Sequence, residues 1–446
     1  MIGKVGILSL GCPRNLVDSE NILGRLNSKG YPIVDMKKAD IALVNTCAFI
    51  DDAKRESIDA ILDLVELKKR GKLKKIIVYG CLSQRYSCEL KKEIPEVDAF
   101  IGNVSLNHEI KRFPITPKHY VYLKICEGCI NSCSFCAIPK IKGKFTSLDI
   151  GTILERLENF NRDKVSELNI IGQDITGYGI DLREGTKLIG ALERIVKKAK
   201  HIGWVRLLYL YPSRVTKELL KLIKDEPKIC KYIDLPIQHI NGRILELMNR
   251  STSKTDILKI IERARKIIPD VALRTSVITG FPSETEKEFK ELLQFIEETK
   301  FERLGAFVYS REEGTAAYNM SKQIPDKVKQ ERLSRIMSLQ QELSRETNKK
   351  FLGRVMDILI DEKTDGHYLG RSQYDAPEVD GLVYVHPRTN NLKNYSDDAI
   401  GAGVNSKKAL MPGDFVKVKI TDTLEYDLVG EAILSPFADD HAHARV

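Results

Sequence analysis

No apolar run in this 446-residue sequence is longer than a β-strand. Crossing a bilayer takes about 20 apolar residues, so no membrane span is expected. The opening stretch MIGKVGILSLGCPRN holds a short apolar run but no small-residue cleavage pattern, and no signal peptide is read from it. Cysteine is too sparse for a disulfide scaffold. There are nine, unevenly spaced, in a large chain without a secretion signal, which points to metal or redox use. These absences leave a cytoplasmic globular protein, expected as a monomer. Its length exceeds what one hydrophobic core fills, so two or three domains are expected.

Charge is divided unevenly. The whole chain carries a formal +9. From Phe351 to Val446 there are ten Lys/Arg against sixteen Asp/Glu, a net of −6, so the preceding 350 residues carry +15. A C-terminal part that gripped nucleic acid would be basic, because phosphate contacts supply most of that affinity. An acidic one is either an ordinary solvated surface or the match to a basic partner.

The first hundred residues contain three similar units. KVGILSLGC precedes SENILGRLNSKG, ADIALVNTC precedes AKRESIDAILDLVELKKRG, and KKIIVYGC precedes SQRYSCELKKEI. Each is a short apolar run, a cysteine, then helical periodicity. Buried parallel strands alternating with helices have this pattern, and a doubly wound α/β sheet is the natural fold. Cys12, Cys47 and Cys81 each fall just past a strand's C-terminal end. Such ends lie along one edge of a parallel sheet, where open sheets place their ligands. Three separately buried cysteines are the ordinary alternative; the repeated position favours a shared metal site. Cys88, inside a helical pattern, and Cys230, at the end of another, are read as structural.

The middle region alternates strand and helix six times, with strands at YVYLKIC, ELNIIGQD, VRLLYLYP, YIDLPIQH, VALRTSVITGF and RLGAFVYS. Six units suggest a partial β/α barrel, open on one side, with its active site at the strand C-terminal ends. The stretch CEGCINSCSFC, Cys126 to Cys136, follows the first of these strands. A long helical stretch, DKVKQERLSRIMSLQQELSRETNKKFLG, closes the region. Five short strands with Gly, Asp and Pro turns then suggest a small all-β barrel, followed by a loose tail, FADDHAHARV, whose two histidines read as tail composition.

The four cysteines parse in two ways. Cys126, Cys129, Cys133 and Cys136 together would close a tetrahedral zinc site or satisfy a [4Fe–4S] cluster. Cys129, Cys133 and Cys136 alone leave one iron open to a substrate or cofactor, with Cys126 ending the first strand as a small buried residue.

C-x3-C-x2-C at the mouth of a partial barrel resembles the radical S-adenosylmethionine (SAM) enzymes. That resemblance implies that Cys129, Cys133 and Cys136 ligate a [4Fe–4S] cluster whose open iron chelates SAM. It puts Phe135 near the adenine and Gln173 near the SAM amino group, although IIGQD departs from the more usual Gly-Gly-Glu form. Across the whole chain, SLGCPRNLVDSE, VNTCAFI, EGCINSCSFCAIP and YSREEGTAA are similar to the methylthiotransferase family. The implied domains are an N-terminal one at 1–114, where Cys12, Cys47 and Cys81 hold a second [4Fe–4S] cluster, and a radical SAM core at 115–350. An OB-like TRAM barrel at 351–436 and a tail at 437–446 follow. The implied activity uses two SAM molecules, one as methyl donor and one as radical source, with an external electron donor, to turn a C–H bond into C–S–CH3.

One branch of the family modifies adenosine in tRNA. The other modifies the β-carbon of an aspartate on the twelfth small-subunit ribosomal protein. SLGCPRNLVDSE and GRSQYDAPEVDG resemble the latter. The charge count agrees: an acidic C-terminal barrel, with Asp375, Glu378 and Asp380 in one loop, suits a basic ribosomal protein. A non-catalytic iron–sulfur or zinc protein that binds nucleic acid is the reading from another class.

Overall fold

A computed structural model of the chain describes residues 3–103, 112–183, 185–387 and 410–433; the expected tail at 437–446 lies outside them. The first domain runs β1 (Val5–Ser9), α1 (Pro13–Ser28), β2 (Ile41–Thr46), α2 (Asp51–Lys69), β3 (Lys75–Gly80), α3 (Cys81–Glu93) and β4 (Ala99–Ile101). The four strands are parallel and lie in that order. A rudimentary further strand bridges Val5 to Ile33, with Val5 N donating to Pro32 O (2.9 Å) and Val34 N to Val5 O (2.9 Å). The chain thus visits the outer side of β1 before crossing to β2. That reversal is what places helices on both faces of a sheet. Leu43 and Tyr79 pack with Leu23 of α1 on one face. Ala42, Val44, Ile76 and Val78 pack with Ile61 of α2 and Leu90 of α3 on the other. The sheet is doubly wound, and its switch point lies between β1 and β2.

All six expected strands of the middle region form. They are β5 (Tyr120–Lys124), then, after the hairpin strands β6 (Cys126–Glu127) and β7 (Thr146–Ser147), β8 (Glu167–Ile171), β9 (Trp204–Leu207), β10 (Tyr232–Asp234), β11 (Ala272–Thr279) and β12 (Arg303–Val308). Helices α4 (Ile138–Lys142), α5 (Ile150–Arg162), α6 (Leu188–Lys198), α7 (Lys217–Asp225), α8 (Gly242–Leu247), α9 (Lys254–Ile267) and α10 (Glu286–Thr299) intervene. Parallel ladders join β5, β8 and β9, and separately β10, β11 and β12. Cys230 N to Val205 O (3.0 Å) and Leu210 N to Asp234 O (3.0 Å) stitch the two sets together. Among the described residues no ladder joins β12 to β5, so the barrel is open there. Side chains alternate along each strand: Val121 and Leu123 face the surrounding helices, while Tyr120 and Tyr122 face the lumen with Ile171 and Tyr232.

After α11 (Asp326–Asn348), strands β13 (Val355–Lys363), β14 (Tyr368–Ser372), β15 (Val383–His386), β16 (Phe415–Thr423) and β17 (Leu428–Ala432) close into a barrel. Its interior is filled by Ile358, Ile360, Val383, Val385, Val418 and Ile420. This barrel sits beneath the larger one, against the N-terminal ends of its strands. Trp204, which opens β9, meets Phe415 edge-on at 4.9 Å, and Ser166 Oγ donates to Gly413 O at 2.7 Å.

The floor contact corrects one expectation. Asp375 and Asp380 do not face outward toward a basic partner, and Glu378, though exposed, is engaged with the central barrel. Asp375 is buried and accepts from Arg303 Nε at 2.9 Å. Asp380 accepts from Tyr232 Oη (2.6 Å) and lies 3.4 Å from Arg274. Glu378 is exposed but accepts from Tyr120 Oη at 2.8 Å. The lumen ends in arginines, and a buried guanidinium must be paired; this loop supplies the carboxylates. Deeper still, fully buried Glu167 holds Arg206 (2.9 Å) from its own barrel and Arg371 (2.7 Å) from the C-terminal one. Among the described residues the C-terminal barrel's exposed acids are Asp357, Glu362, Asp365, Asp422 and Glu431, with Glu378 at the floor.

Glu167→Gln would leave the buried Arg206 guanidinium without its carboxylate, and Arg371 with Asp361 alone. We expect a loss of about 3–5 kcal/mol, read as a lower urea midpoint for separation of the two barrels. A loss below about 1 kcal/mol, the range of a surface pair, would contradict this account of the floor.

Candidate functional site

The loops that leave β1, β2 and β3 are tied to one another by side chains from α1. Pro13 suits the first position of α1, where no N–H is needed, and leaves Cys12 as the extended residue before it. Buried Asn15 donates from Nδ2 to Leu10 O (2.9 Å) and Thr46 O (3.1 Å), and its carbonyl accepts from Asn45 Nδ2 (2.6 Å). Ser57 of α2 clamps Cys47, accepting from its N (3.0 Å) and donating to its O (2.9 Å). Gly11, at φ +86°, has no room for a side chain: a Cβ there would stand 2.7 Å from Cys47 Cβ. Cys12 and Cys47 therefore leave adjacent strands in close approach, and Cys81 opens α3 beside them, its Sγ 3.9 Å from Asn15 Oδ1.

The thiols feel one another. Burial pushes Cys81 up to about 12, with Lys142 opposing and Cys47 and Cys12 adding to the rise. Burial likewise raises Cys47. Cys12 goes the other way. Burial works against its ionisation, but the Arg14 charge and hydrogen bond, with the backbone N–H groups of Asn15 and Arg14, hold it below the ordinary thiol value.

The second cysteine group lies in the loop between β6 and α4. Ser134 N donates to Met248 O (2.9 Å), Ser134 Oγ to Leu247 O (2.7 Å), and Ala317 N to Ser134 O (2.8 Å), so the loop is pinned to the end of α8 and to the segment after β12. Asn131 Nδ2 donates to Cys129 Sγ (3.2 Å) and to Asp174 Oδ2 (2.8 Å). Arg214 donates to Asn131 Oδ1 (2.9 Å) and to Asp174. Arg250 Nη1 lies 3.7 Å from Cys133 Sγ. Burial pushes Cys136 up to about 12, Cys133 and Cys129 reinforcing it and Arg14 opposing. Phe135 is half-buried against Ile244, Met248, Phe281 and Tyr309. Gln173 Nε2 donates to Glu127 (3.2 Å), while its Oε1 is buried with no partner.

The two groups meet at the barrel mouth. Lys124, the last residue of β5, is fully buried and contacts both Asp18 of α1 and Glu127 (2.5 Å). Lys142 completes the quartet at 3.4 Å from Asp18 and 3.2 Å from Glu127. Arg14 spans the same junction. Its Nε donates to Cys12 Sγ (3.3 Å), its Nη1 donates to Gly172 O (3.0 Å) just past β8, and its guanidinium carbon lies 4.4 Å from the centroid of the Tyr209 ring.

All nine cysteines are free. Cys126 is fully buried, its thiol 3.6 Å from Asp174 O and packed directly under Gly172. Cys230 is buried as expected of a structural residue, whereas Cys88 lies exposed on α3 and packs no core. Among the described residues no three His, Cys, Asp or Glu are drawn tightly enough together to hold a single metal ion. The sequence reading did not single out Arg14, Asp18, Lys124, Glu127, Asn131, Lys142, Arg214 or Arg250. One signal was available: Lys124 interrupts the otherwise apolar strand YVYLKIC.

Three family profiles match the chain: Uncharacterized protein family UPF0004 over residues 4–102, the Radical SAM superfamily over 123–296, and the TRAM domain over 352–433. The ribosomal protein uS12 methylthiotransferase RimO of Clostridioides difficile is 44% identical over 458 residues, covering 96% of this chain and 99% of that protein. Its counterparts in Caldanaerobacter subterraneus (47%, covering 96% and 99%) and Geobacter sulfurreducens (41%, covering 96% and 98%) are similar. Among solved structures, the radical S-adenosylmethionine methyltransferase TsrM of Kitasatospora setae, with cobalamin and a [4Fe–4S] cluster, is 12% identical. It covers 69% of this chain and 72% of its own, at a TM-score of 0.47.

A Cβ on Gly172 would fall 2.4 Å from Cys126 Sγ. Gly172→Ala should therefore destabilise the mouth, and adding Cys126→Ala should restore part of the loss, because overpacking is relieved by removing the atom it meets. Thermal unfolding of the two single variants and the double variant reads this directly. Strict additivity would mean that the thiol is not packed under Gly172.

Proposed function

This chain belongs to the ribosomal protein uS12 methylthiotransferase family, and from that premise we propose that it methylthiolates the β-carbon of an aspartate on the twelfth small-subunit ribosomal protein. The observation that carries the reading is the junction itself. Two cysteine triads from different domains, Cys12, Cys47 and Cys81 and then Cys129, Cys133 and Cys136, open on one mouth, with Arg14 reaching both sides.

The donor sets fit two [4Fe–4S] clusters with three thiolates each. A cluster is several ångströms across, so its ligands stand farther apart than those of one ion, whose thiolates lie about 2.3 Å away. Cations offset the negative charge that three thiolates bring: Arg14 beside Cys12, Lys142 near Cys81, Arg250 beside Cys133. When bound, the clusters and SAM supply reductive cleavage of SAM, hydrogen-atom abstraction from unactivated carbon, and a sulfur that accepts a methyl group.

The chain's own residues hold and orient. Asn131 fixes the Cys129 side chain and is itself fixed by Arg214 and Asp174. Gln173 Oε1, buried without a donor, would suit the SAM ammonium group, and the half-buried Phe135 ring would pack against the adenine. Cys126 takes no part in ligation, because its thiol is enclosed beneath Gly172. Electrons come from an external donor. No helix among the described residues is long and apolar enough to cross a membrane, in keeping with action on a ribosomal protein in the cytoplasm. The exposed acids of the C-terminal barrel, rather than its floor loop, are the surface that would attract a basic substrate.

The test supplies the anaerobically reconstituted chain with SAM, reductant and either the ribosomal protein or tRNA, and reads both by mass spectrometry. A methylthio adduct on an aspartate supports the reading; one on tRNA adenosine with unmodified protein overturns it. The division of labour makes a further prediction. Replacing Cys12, Cys47 and Cys81 together by Ala should leave reductive SAM cleavage but end sulfur insertion. Methylthiolated product from that variant would make the first-domain triad structural.

A further inference from the structure

Arg14 is a half-buried cation whose anionic neighbour within hydrogen-bond reach is the sulfur of Cys12. No carboxylate among the described residues pairs with it, whereas Lys124 and Lys142 share Asp18 and Glu127, and Arg214 has Asp174. Its Nε is committed to Cys12 Sγ and its Nη1 to Gly172 O. Its Nη2 has no acceptor among the described residues, so one edge of the guanidinium is open. The Tyr209 ring at 4.4 Å fixes the plane from below. Tyr209 is itself held at φ +64° by its N–H bond to Asp234 Oδ2 (2.9 Å). The cation is thus held from two domains with one edge of its guanidinium open.

Arg250 also lacks a carboxylate, but every partner it has belongs to the central barrel: Cys133, Pro236 O at 2.6 Å, and the Tyr211 ring. Arg14 alone of the two touches both the first domain's cysteine and the barrel mouth, which is where a carbon must sit to meet both chemistries.

We infer that the open edge of Arg14 binds the side-chain carboxylate of the substrate aspartate and so fixes the β-carbon, one bond away, at the gap between the two cysteine groups. The inference rests on the protein-substrate reading above. A guanidinium matches a carboxylate in plane and spacing, and such charge-assisted pairs are about twice as strong as neutral hydrogen bonds. Holding the neighbouring carbon within reach of both centres is the positional gain that a two-site reaction needs. It also gives a reason for discrimination: asparagine has the same shape without the charge.

The test is a two-by-two cycle of equilibrium binding. The reconstituted chain, wild type or Arg14→Gln, is titrated with the labelled ribosomal protein carrying either its native aspartate or asparagine at the modified position. The aspartate-to-asparagine change should weaken binding to wild type by about tenfold, the size expected for a hydrogen bond to a charged group, and binding to Arg14→Gln by less than about twofold. Arg14→Lys, which keeps the charge and loses the fork, should give an intermediate ratio, and it carries the test if Arg14→Gln does not fold. Equal discrimination in wild type and Arg14→Gln overturns the inference, as does transfer of the coupling to Arg250→Gln. Because Arg14 also faces the Cys12 sulfur, cluster iron is measured in each variant; if Arg14→Gln loses it, the comparison passes to Arg14→Lys, and discrimination there equal to that of wild type overturns the inference. If wild type binds the native ribosomal protein and modifies it yet does not distinguish the asparagine form, the inference falls and the function stands. If it neither binds nor modifies the ribosomal protein, the function falls and takes the inference with it.

Discussion

A fully buried lysine cannot stand alone. Lys124 ends an apolar strand with no exposure, and taking its charge out of water costs several kcal/mol unless partners offset it. Glu127, three residues on, supplies one carboxylate. Asp18 supplies the other from a helix of a different domain. Lys142 closes the ring by touching both acids. Pulling the first domain away would leave two buried lysines sharing Glu127 alone, so the domain is held to the mouth by desolvation as much as by attraction. The same helix that carries Asp18 begins just after Cys12 and carries Arg14 and Asn15. Once Asp18 is fastened, the cysteine-bearing ends of β1, β2 and β3 are fixed relative to the loop of Cys129, Cys133 and Cys136.

The opposite end of the central barrel solves the same problem differently. Its lumen narrows onto Arg206, Arg274 and Arg303, and the C-terminal barrel answers with Asp375, Asp380 and the peptide oxygen of Gln373, 2.7 Å from Arg206 Nη1. Arg371 returns a cation to Glu167. The floor is sealed by mutual neutralisation, which leaves the mouth as the end where a substrate can enter. A third fastening closes the open side. Glu312, in the loop after β12, accepts from Arg85 (2.7 Å) and lies 3.3 Å from Lys54, both of the first domain. That gives YSREEGTAA a physical role: its second glutamate's predecessor is a buried anchor rather than a surface charge.

Much of this was legible in the sequence. Strand–cysteine–helix repetition located the first triad because a two-residue period and a helical period sit side by side in each unit. The six strands and the five short ones were readable from apolar runs and turn residues. What was not legible depends on pairing across distance. Asp375 and Asp380 read as an acidic surface loop because their partners Arg303 and Arg274 lie 72 and 106 residues earlier, and sequence gives the sign of a charge but not its neighbour. Asn15 and Asp18 were visible only as part of a family motif. The rudimentary strand at Ile33 is too short to leave a pattern, yet it reverses the strand order. Gly172 reads as a loop glycine, while its reason is the sulfur of Cys126 beneath it.

Both cysteine groups serve one gap. Pulsed electron paramagnetic resonance on the reconstituted, reduced chain tests it most directly, because two paramagnetic clusters facing one mouth must couple through space. A dipolar interaction between the two centres is expected, and it should weaken in Asp18→Asn, where the junction loses one of the charges that hold Lys124. Two independent spectra in the wild-type chain, each unaltered by removal of the other cluster, would contradict it.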